Sequence, residues 1–127
     1  MEKDIQLFLM NLKKMPHFNR VKFVFLFGSV ANGNSNKLSD VDFAIYYEGD
    51  SKERFKFRLE FLRNLPERFD VQVFQDLPLY VKKEVLKGKL IYAVDERFVY
   101  DIAYEIIKEY ADFKKGYYDY IKMEEIQ

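Results

Sequence analysis

Residues 21–27, VKFVFLF, constrain the fold more than any other stretch, because they are apolar at both parities apart from Lys22. A strand with no polar face must be covered on both sides, so this one belongs in the middle of a sheet with layers packed above and below it. Gly28-Ser29 breaks it, and a polar loop rich in Asn, Ser and Lys follows. The chain then places a pair of aspartates, Asp40 and Asp42, at the start of a second apolar strand, VDFAIYY (41–47). A plain surface turn would need none of this.

Ahead of the central strand, Ile5, Phe8, Leu9 and Leu12 fall at i, i+3, i+4 and i+7, one face of a helix that Pro16 ends. After the second strand, Asp50-Ser51 with Glu53 reads as a helix N-cap, and Phe55, Leu59 and Leu62 are expected to form that helix's buried stripe up to Pro66. FDVQVFQ (69–75) is a third strand. Asp76 and Pro78 start another helix, Lys87-Gly88 ends it, and KLIYAV (89–94) is a short fourth strand. From Asp95 onward the pattern is helical again, with Ile102, Ile106, Tyr110, Phe113 and Tyr117 at helical spacings and Gly116 as a point of kinking or termination. No linker or repeat divides the chain. Residues 1–127 therefore read as a single α/β domain, with a core over 1–94 and a C-terminal helical extension over 95–127.

At 127 residues, 49% of them hydrophobic, the chain is about one domain long and can bury a real core. Thirteen Phe and ten Tyr make that core aromatic. Lys+Arg and Asp+Glu are both 21, so no net field draws the molecule to nucleic acid or to an acidic membrane, and direct nucleic-acid binding is not expected. The lack of cysteine excludes disulfides, thiolate zinc sites and cysteine nucleophiles. MEKDIQLFLM has charges of both signs and too short an apolar run for a signal peptide, and no later segment approaches the roughly 18 apolar residues of a membrane span. A cytoplasmic location is the resulting expectation. The sole histidine, His17, falls in a Pro-His loop and is expected to be exposed.

A strand puts residues i and i+2 on one face, so Asp40 and Asp42 point the same way. Carboxylates held that close repel, and without a cation at least one has a raised pKa. In the third strand Phe69, Val71 and Val73 face one side, while Asp70, Gln72 and Phe74 take the other. If the second and third strands lie side by side in register, Asp70 joins the pair, and the resulting cluster suits two Mg²⁺ ions about 3.5–4 Å apart. Hard oxygen ligands select Mg²⁺ or Mn²⁺. A glycine after a central strand lets backbone approach a ligand, and the N–H groups that follow it face an anion, with Ser29 adding a hydroxyl. A triphosphate fits between that turn and the metal pair. Taken singly, an Asp-x-Asp is commonly a solvated strand edge and a Gly-Ser an ordinary turn.

The joint pattern is far more specific. Gly28, Ser29, Ala31, Gly33, Ser39, Asp40 and Asp42 occupy seven set positions within fifteen, a chance match on the order of one in a million for a chain of this size. GSVANGNSNKLSDVD resembles the G-S-x-A-x-G-x5-S-D-x-D signature of the minimal nucleotidyltransferases, small members of the DNA polymerase beta-like superfamily. The likeness continues through the carboxylate in FDVQVF, the segment LPLYVKKEVLKGKLIY, and the terminal EYADF, which is similar to a Tyr-x-Asp-Phe near the family's C-terminus. In one departure, many members carry Arg before the second glycine, where this chain has Asn32. A cation that could neutralise triphosphate is missing there.

The resemblance implies an α+β fold, a small mixed sheet flanked by helices, and transfer of a nucleoside monophosphate, AMP from ATP, to an acceptor hydroxyl. By it Asp40 and Asp42 hold both metals, and Asp70 holds the one that lowers the pKa of the incoming hydroxyl, whose proton it accepts. Gly28 and Ser29 hold the β and γ phosphates, with Gly33 and Ser39 completing the nucleotide-binding signature. Family members of this size resemble antitoxins paired with HEPN-domain ribonuclease toxins, which they inactivate by adenylylating a tyrosine. A core of this length has no room for the acceptor-binding domains of polymerases, so the acceptor site is expected from another chain. Other readings stay open on sequence alone. One is a non-catalytic antitoxin that neutralises its partner sterically, motivated by Asn32, and another is a small-molecule nucleotidyltransferase similar to the antibiotic-modifying enzymes. The segment beyond Asp95 carries more aromatic area than one docked stripe can bury, so part of it is expected to project and help to dock the acceptor protein; the alternative is that it folds back to seal the core or forms a homodimer seam.

Overall fold

The structure, a computed structural model, describes residues 2–28 and 40–126. Helix α1 (Glu2–Lys13) carries Glu2 and Asp4 in its first turn and Lys13 in its last, charges that suit the helix dipole, and it buries Ile5, Phe8 and Leu12. Leu9, expected on the same face, is half-buried at its edge. A short 3-10 turn (Phe18–Arg20) follows, entered through an exposed His17 in the left-handed conformation at φ 64°.

Four strands make one sheet: β1 (Val21–Phe27), β2 (Val41–Tyr47), β3 (Phe69–Val73) and β4 (Lys89–Ala93), in the order β3-β2-β1-β4. β1 pairs antiparallel with both β2 and β4, whereas β2 and β3 run parallel, so the sheet is mixed. The fully apolar β1 is interior, as its lack of a polar face requires. Helices α1 and α2 (Ser51–Leu62) cover one face, where Phe8 stacks on Phe43 at 3.7 Å between ring centroids. On the other face α3 (Leu79–Leu86) and α4 (Glu96–Ile126) pack with Phe23, Phe25 and Phe74.

Helix α2 differs from the sequence expectation. Phe55 and Leu59 are 59% and 41% exposed, and Phe57 and Phe61 are the buried residues. Both pairs sit at i, i+4, so periodicity supports either face. Tertiary contacts decide: Phe57 stacks on Tyr47 at 4.3 Å and Phe61 meets the Phe8 ring edge-on at 5.2 Å. On a flank of α2, Arg54 grips Asp76 and the Gly49 carbonyl. The helix start is a capping box, with the Glu53 N–H donating to Asp50 Oδ1 at 2.8 Å and the Asp50 N–H to Glu53 Oε1 at 3.0 Å. Asp50→Ala is expected to cost about 1 kcal/mol, read as a lowered urea midpoint at unchanged slope. An unchanged midpoint would mean that the Arg54 contacts fix the helix start alone.

β3 is also shorter than the expected 69–75. It stops at Val73, and Phe74–Asp76 form a 3-10 turn, because Phe74 turns into the core against Phe23 at 5.3 Å while Gln75 accepts from the Tyr47 N–H at 3.1 Å. The fourth strand ends at Ala93 rather than at residue 94. Gly116 neither kinks nor ends α4, which runs unbroken for 31 residues, about 46 Å at 1.5 Å per residue. A Cβ at Gly116 would meet open space, so nothing at that position interrupts the helix. Val99 and Ile106 are buried, the Lys83 ammonium lies 4.1 Å from the Tyr110 ring, and residues 111–120 are exposed throughout.

Candidate active site

The strand register brings the candidate residues to one end of the sheet. Asp42 lies opposite Phe27 in the antiparallel pair and opposite Asp70 in the parallel pair. Both aspartates therefore rise from adjacent strands, about 4.8 Å apart along the hydrogen-bonding direction, on the face shared with Ala44 and Phe74 rather than that of Val41 and Val71. Asp40, the residue before β2, is exposed, while Asp42 and Asp70 are half-buried. Gln72 holds the Asp70 carboxylate, its Nε2 donating to the two oxygens at 3.2 and 3.3 Å. Its shared face with Asp70 follows from strand alternation, yet a lone amide in a strand carries no signal of such a contact.

Gly28 closes this end. Its φ is +82°, a left-handed conformation that side chains other than glycine's adopt at a cost, and a Cβ on it would lie 2.5 Å from Asp42 Oδ2. The space that the glycine leaves open is taken by the Asp42 carboxylate. Glycine at this position thus serves a contact internal to the protein. Ser29, Asn32, Gly33 and Ser39 lie outside the described residues.

Burial, the charge of Asp70, the charge of Asp40 and a hydrogen bond with Asp70, in descending order, push the Asp42 carboxyl up to about 6. Among the described residues no group of three His, Asp or Glu side chains stands ready-gathered to hold a metal ion. The repulsion of its neighbours and its burial make the Asp42 carboxyl give up its proton less readily than an isolated one. The donor set still fits a divalent cation of the Mg²⁺ type: it offers hard carboxylate oxygens on adjacent strands, one of them destabilised in its charged form until a cation offsets the repulsion.

That raised pKa has a definite sign. A carboxyl at about 6 in the fold and at its ordinary value when unfolded contributes stability that is complete below about pH 4 and lost as pH rises through 6. Against Asp42→Asn, which cannot ionise, the protein without divalent cation is expected to match the variant near pH 4 and be less stable by about 1–2 kcal/mol at pH 7, a value discounted for solvent screening. Urea titrations of both proteins from pH 4 to 8, in chelator, check this. A pH-independent difference would show that the Asp42 charge is not under strain.

A cleft of about 350 Å³ lined by Pro16, His17, Arg20, Tyr47, Glu53, Lys56, Phe57 and Glu60 opens at the opposite end of β2 and includes none of the three aspartates. An ion pair, Arg20–Glu53 at 2.5 Å, spans it. The three aspartates lie apart from this hollow.

The family model described as polymerase beta, nucleotidyltransferase matches residues 10–97, which include β1 to β4 and all three aspartates. The putative protein adenylyltransferase MJ1547 of Methanocaldococcus jannaschii is 30% identical over 97 residues, 76% of this chain and 75% of its own length. Among solved structures, a chain of the toxin–antitoxin MntA-HepT superposes with a TM-score of 0.68 at 15% identity, covering 96% of this chain and 97% of that one. A chain of a toxin–antitoxin crystallised with AMP-PNP also gives 0.68, at 18% identity and 95% coverage of each. A chain from the tri-AMPylated Shewanella oneidensis HEPN toxin in complex with MNT antitoxin gives 0.67 at 16% identity, covering 96% and 97%. The likeness to these solved structures is one of fold.

Proposed function

The chain belongs to the polymerase beta nucleotidyltransferase family, and from that premise we propose that it transfers AMP from ATP to a hydroxyl of a protein partner, as the antitoxin of a HEPN-domain ribonuclease toxin. The relative named for protein adenylylation supports the chemistry, and the structures of toxin–antitoxin pairs, one with AMP-PNP and one with an AMPylated HEPN toxin, support the partner class. The observation that carries the reading is the in-register pairing of Asp42 with Asp70, with Gly28 shaped around the Asp42 carboxylate.

In this reading Asp40, Asp42 and Asp70 hold Mg²⁺, which when bound offsets the charge of the triphosphate and of the transition state. Gly28 and Ser29 bind the β and γ phosphates, leaving the α-phosphorus beside the aspartates. Asp70, fixed by Gln72, accepts the proton of the acceptor hydroxyl. A bond forms between that oxygen and the α-phosphorus, the bond from the α-phosphorus to the bridging oxygen breaks, and pyrophosphate leaves. Positioning supplies most of the rate.

A site of this kind couples nucleotide to cation. Without a divalent ion the carboxylates repel the triphosphate, so ATP affinity measured by calorimetry is expected to rise at least about 10-fold when Mg²⁺ or Mn²⁺ is added, a coupling of the usual 1–3 kcal/mol size. The same affinity in chelator and in Mg²⁺ would mean that the phosphates do not meet these aspartates.

A further inference from the structure

We propose that the projecting half of α4 is the surface that docks the acceptor protein, through a stripe of Phe113, Tyr117 and Tyr120; this rests on the functional reading above. At 100° per residue, these three share an arc of about 60° with Val99, Ile102 and Ile106, three of the residues with which the same helix packs onto the core. The face is one continuous apolar stripe. Its first half is covered, while Phe113, Tyr117 and Tyr120 are 65%, 56% and 60% exposed. Aromatic residues are only middling helix formers, so helix stability alone does not place them at exposed positions.

The occupant follows from charge and area. One flank of the stripe carries Glu109, Asp112 and Asp119, whereas the other carries Lys114, with Lys122 further round. Antiparallel pairing of two copies would set acidic flank against acidic flank, as like-positioned flanks meet in antiparallel helix pairs. Side chains of this size, a little over half exposed, offer on the order of 350 Å² per copy, against the roughly 800 Å² per partner of a stable interface. A self-pair through this stripe alone falls short. An acceptor protein does not, because it must also reach Asp42 with its hydroxyl, and the stripe adds to a contact that the reaction already requires. The fitting partner surface is an apolar groove between helices, basic along the border that meets Glu109 and Asp112 and acidic along the border that meets Lys114.

The test is the triple variant Phe113→Gln/Tyr117→Gln/Tyr120→Gln, which keeps good helix formers in place, with Tyr104→Gln on the opposite side of the helix as the control. Affinity for a HEPN-domain ribonuclease acceptor, measured by calorimetry, is expected to fall at least about 100-fold in the triple variant and less than twofold in the control. ATP binding in Mg²⁺ is expected to be unchanged, and label transfer to fall at low acceptor concentration and recover at saturation. Acceptor affinity within twofold of the parent protein overturns the docking surface while leaving the reaction standing. So does an equal loss in Tyr104→Gln, or the dissolution of a self-dimer in light scattering with acceptor affinity intact. If the acceptor binds through the stripe yet is never labelled, the surface stands and the proposed reaction falls.

Discussion

Asp42→Ala is expected to lower AMP transfer by at least about 10³-fold, because in the proposed reaction Asp42 is one of the aspartates that would hold Mg²⁺ where charge develops in the transition state. It is expected to do so without unfolding the protein. Asp42 is held in a half-buried position with its carboxyl at about 6 by burial and by Asp70 and Asp40, so its removal relieves a repulsion rather than a stabilising contact. Stability in chelator at pH 7 should stay level or rise by about 1 kcal/mol. Transfer by stopped assay and unfolding by urea, on the same preparation, read the two effects separately. Transfer that survives would sink the assignment of the aspartates, and a sharp loss of stability would mark Asp42 as a structural residue.

Gly28→Ala is expected to lower transfer by about 10²-fold or more while leaving Asp42 chemically intact. The new Cβ would lie 2.5 Å from Asp42 Oδ2, and since that oxygen is the free end of a side chain it can swing aside. A displacement near 1 Å at a reacting centre is enough for a loss of this size. The left-handed φ of +82° at this glycine adds about 1–2 kcal/mol of strain for alanine. The expected signature is thus a modest fall in urea midpoint with a much larger fall in rate, and a weakened response to Mg²⁺ concentration. Full activity in Gly28→Ala would show that the contact with Asp42 does not matter to the reaction.

Much of this architecture could be read locally. β1 announces itself because apolar residues at both parities have only one kind of place in a sheet, β2 through its β-branched and aromatic residues, and the Asp50–Glu53 cap is a spacing rule. What could not be read depended on distant partners. Phe55 and Leu59 compete with Phe57 and Phe61 for the same role, and only the positions of Tyr47 and Phe8 across the core decide between them. Gln75 looks like a strand residue until its amide is seen to bond the backbone of Tyr47. At the site, Asp40 and Asp42 stand out through the motif. The meeting of Asp42 with Asp70 needs a parallel register that no local pattern specifies, and the fit of Gly28 against Asp42 needs the antiparallel one. The hold of Gln72 on Asp70 is a contact on which the sequence is silent.

In the proposed reaction a nucleotidyl group moves from ATP to a protein hydroxyl at these aspartates. The most direct measurement follows label from ATP to a HEPN-domain ribonuclease in Mg²⁺, with the label at the α-phosphate in one reaction and at the γ-phosphate in the other. The expected result is α-label on the acceptor protein, no γ-label, release of one pyrophosphate per group transferred, and loss of all of these in chelator and in Asp42→Ala. Tight binding of the ribonuclease with no label from either position would contradict it, and would make the protein a steric antitoxin that keeps the fold of the family without its reaction.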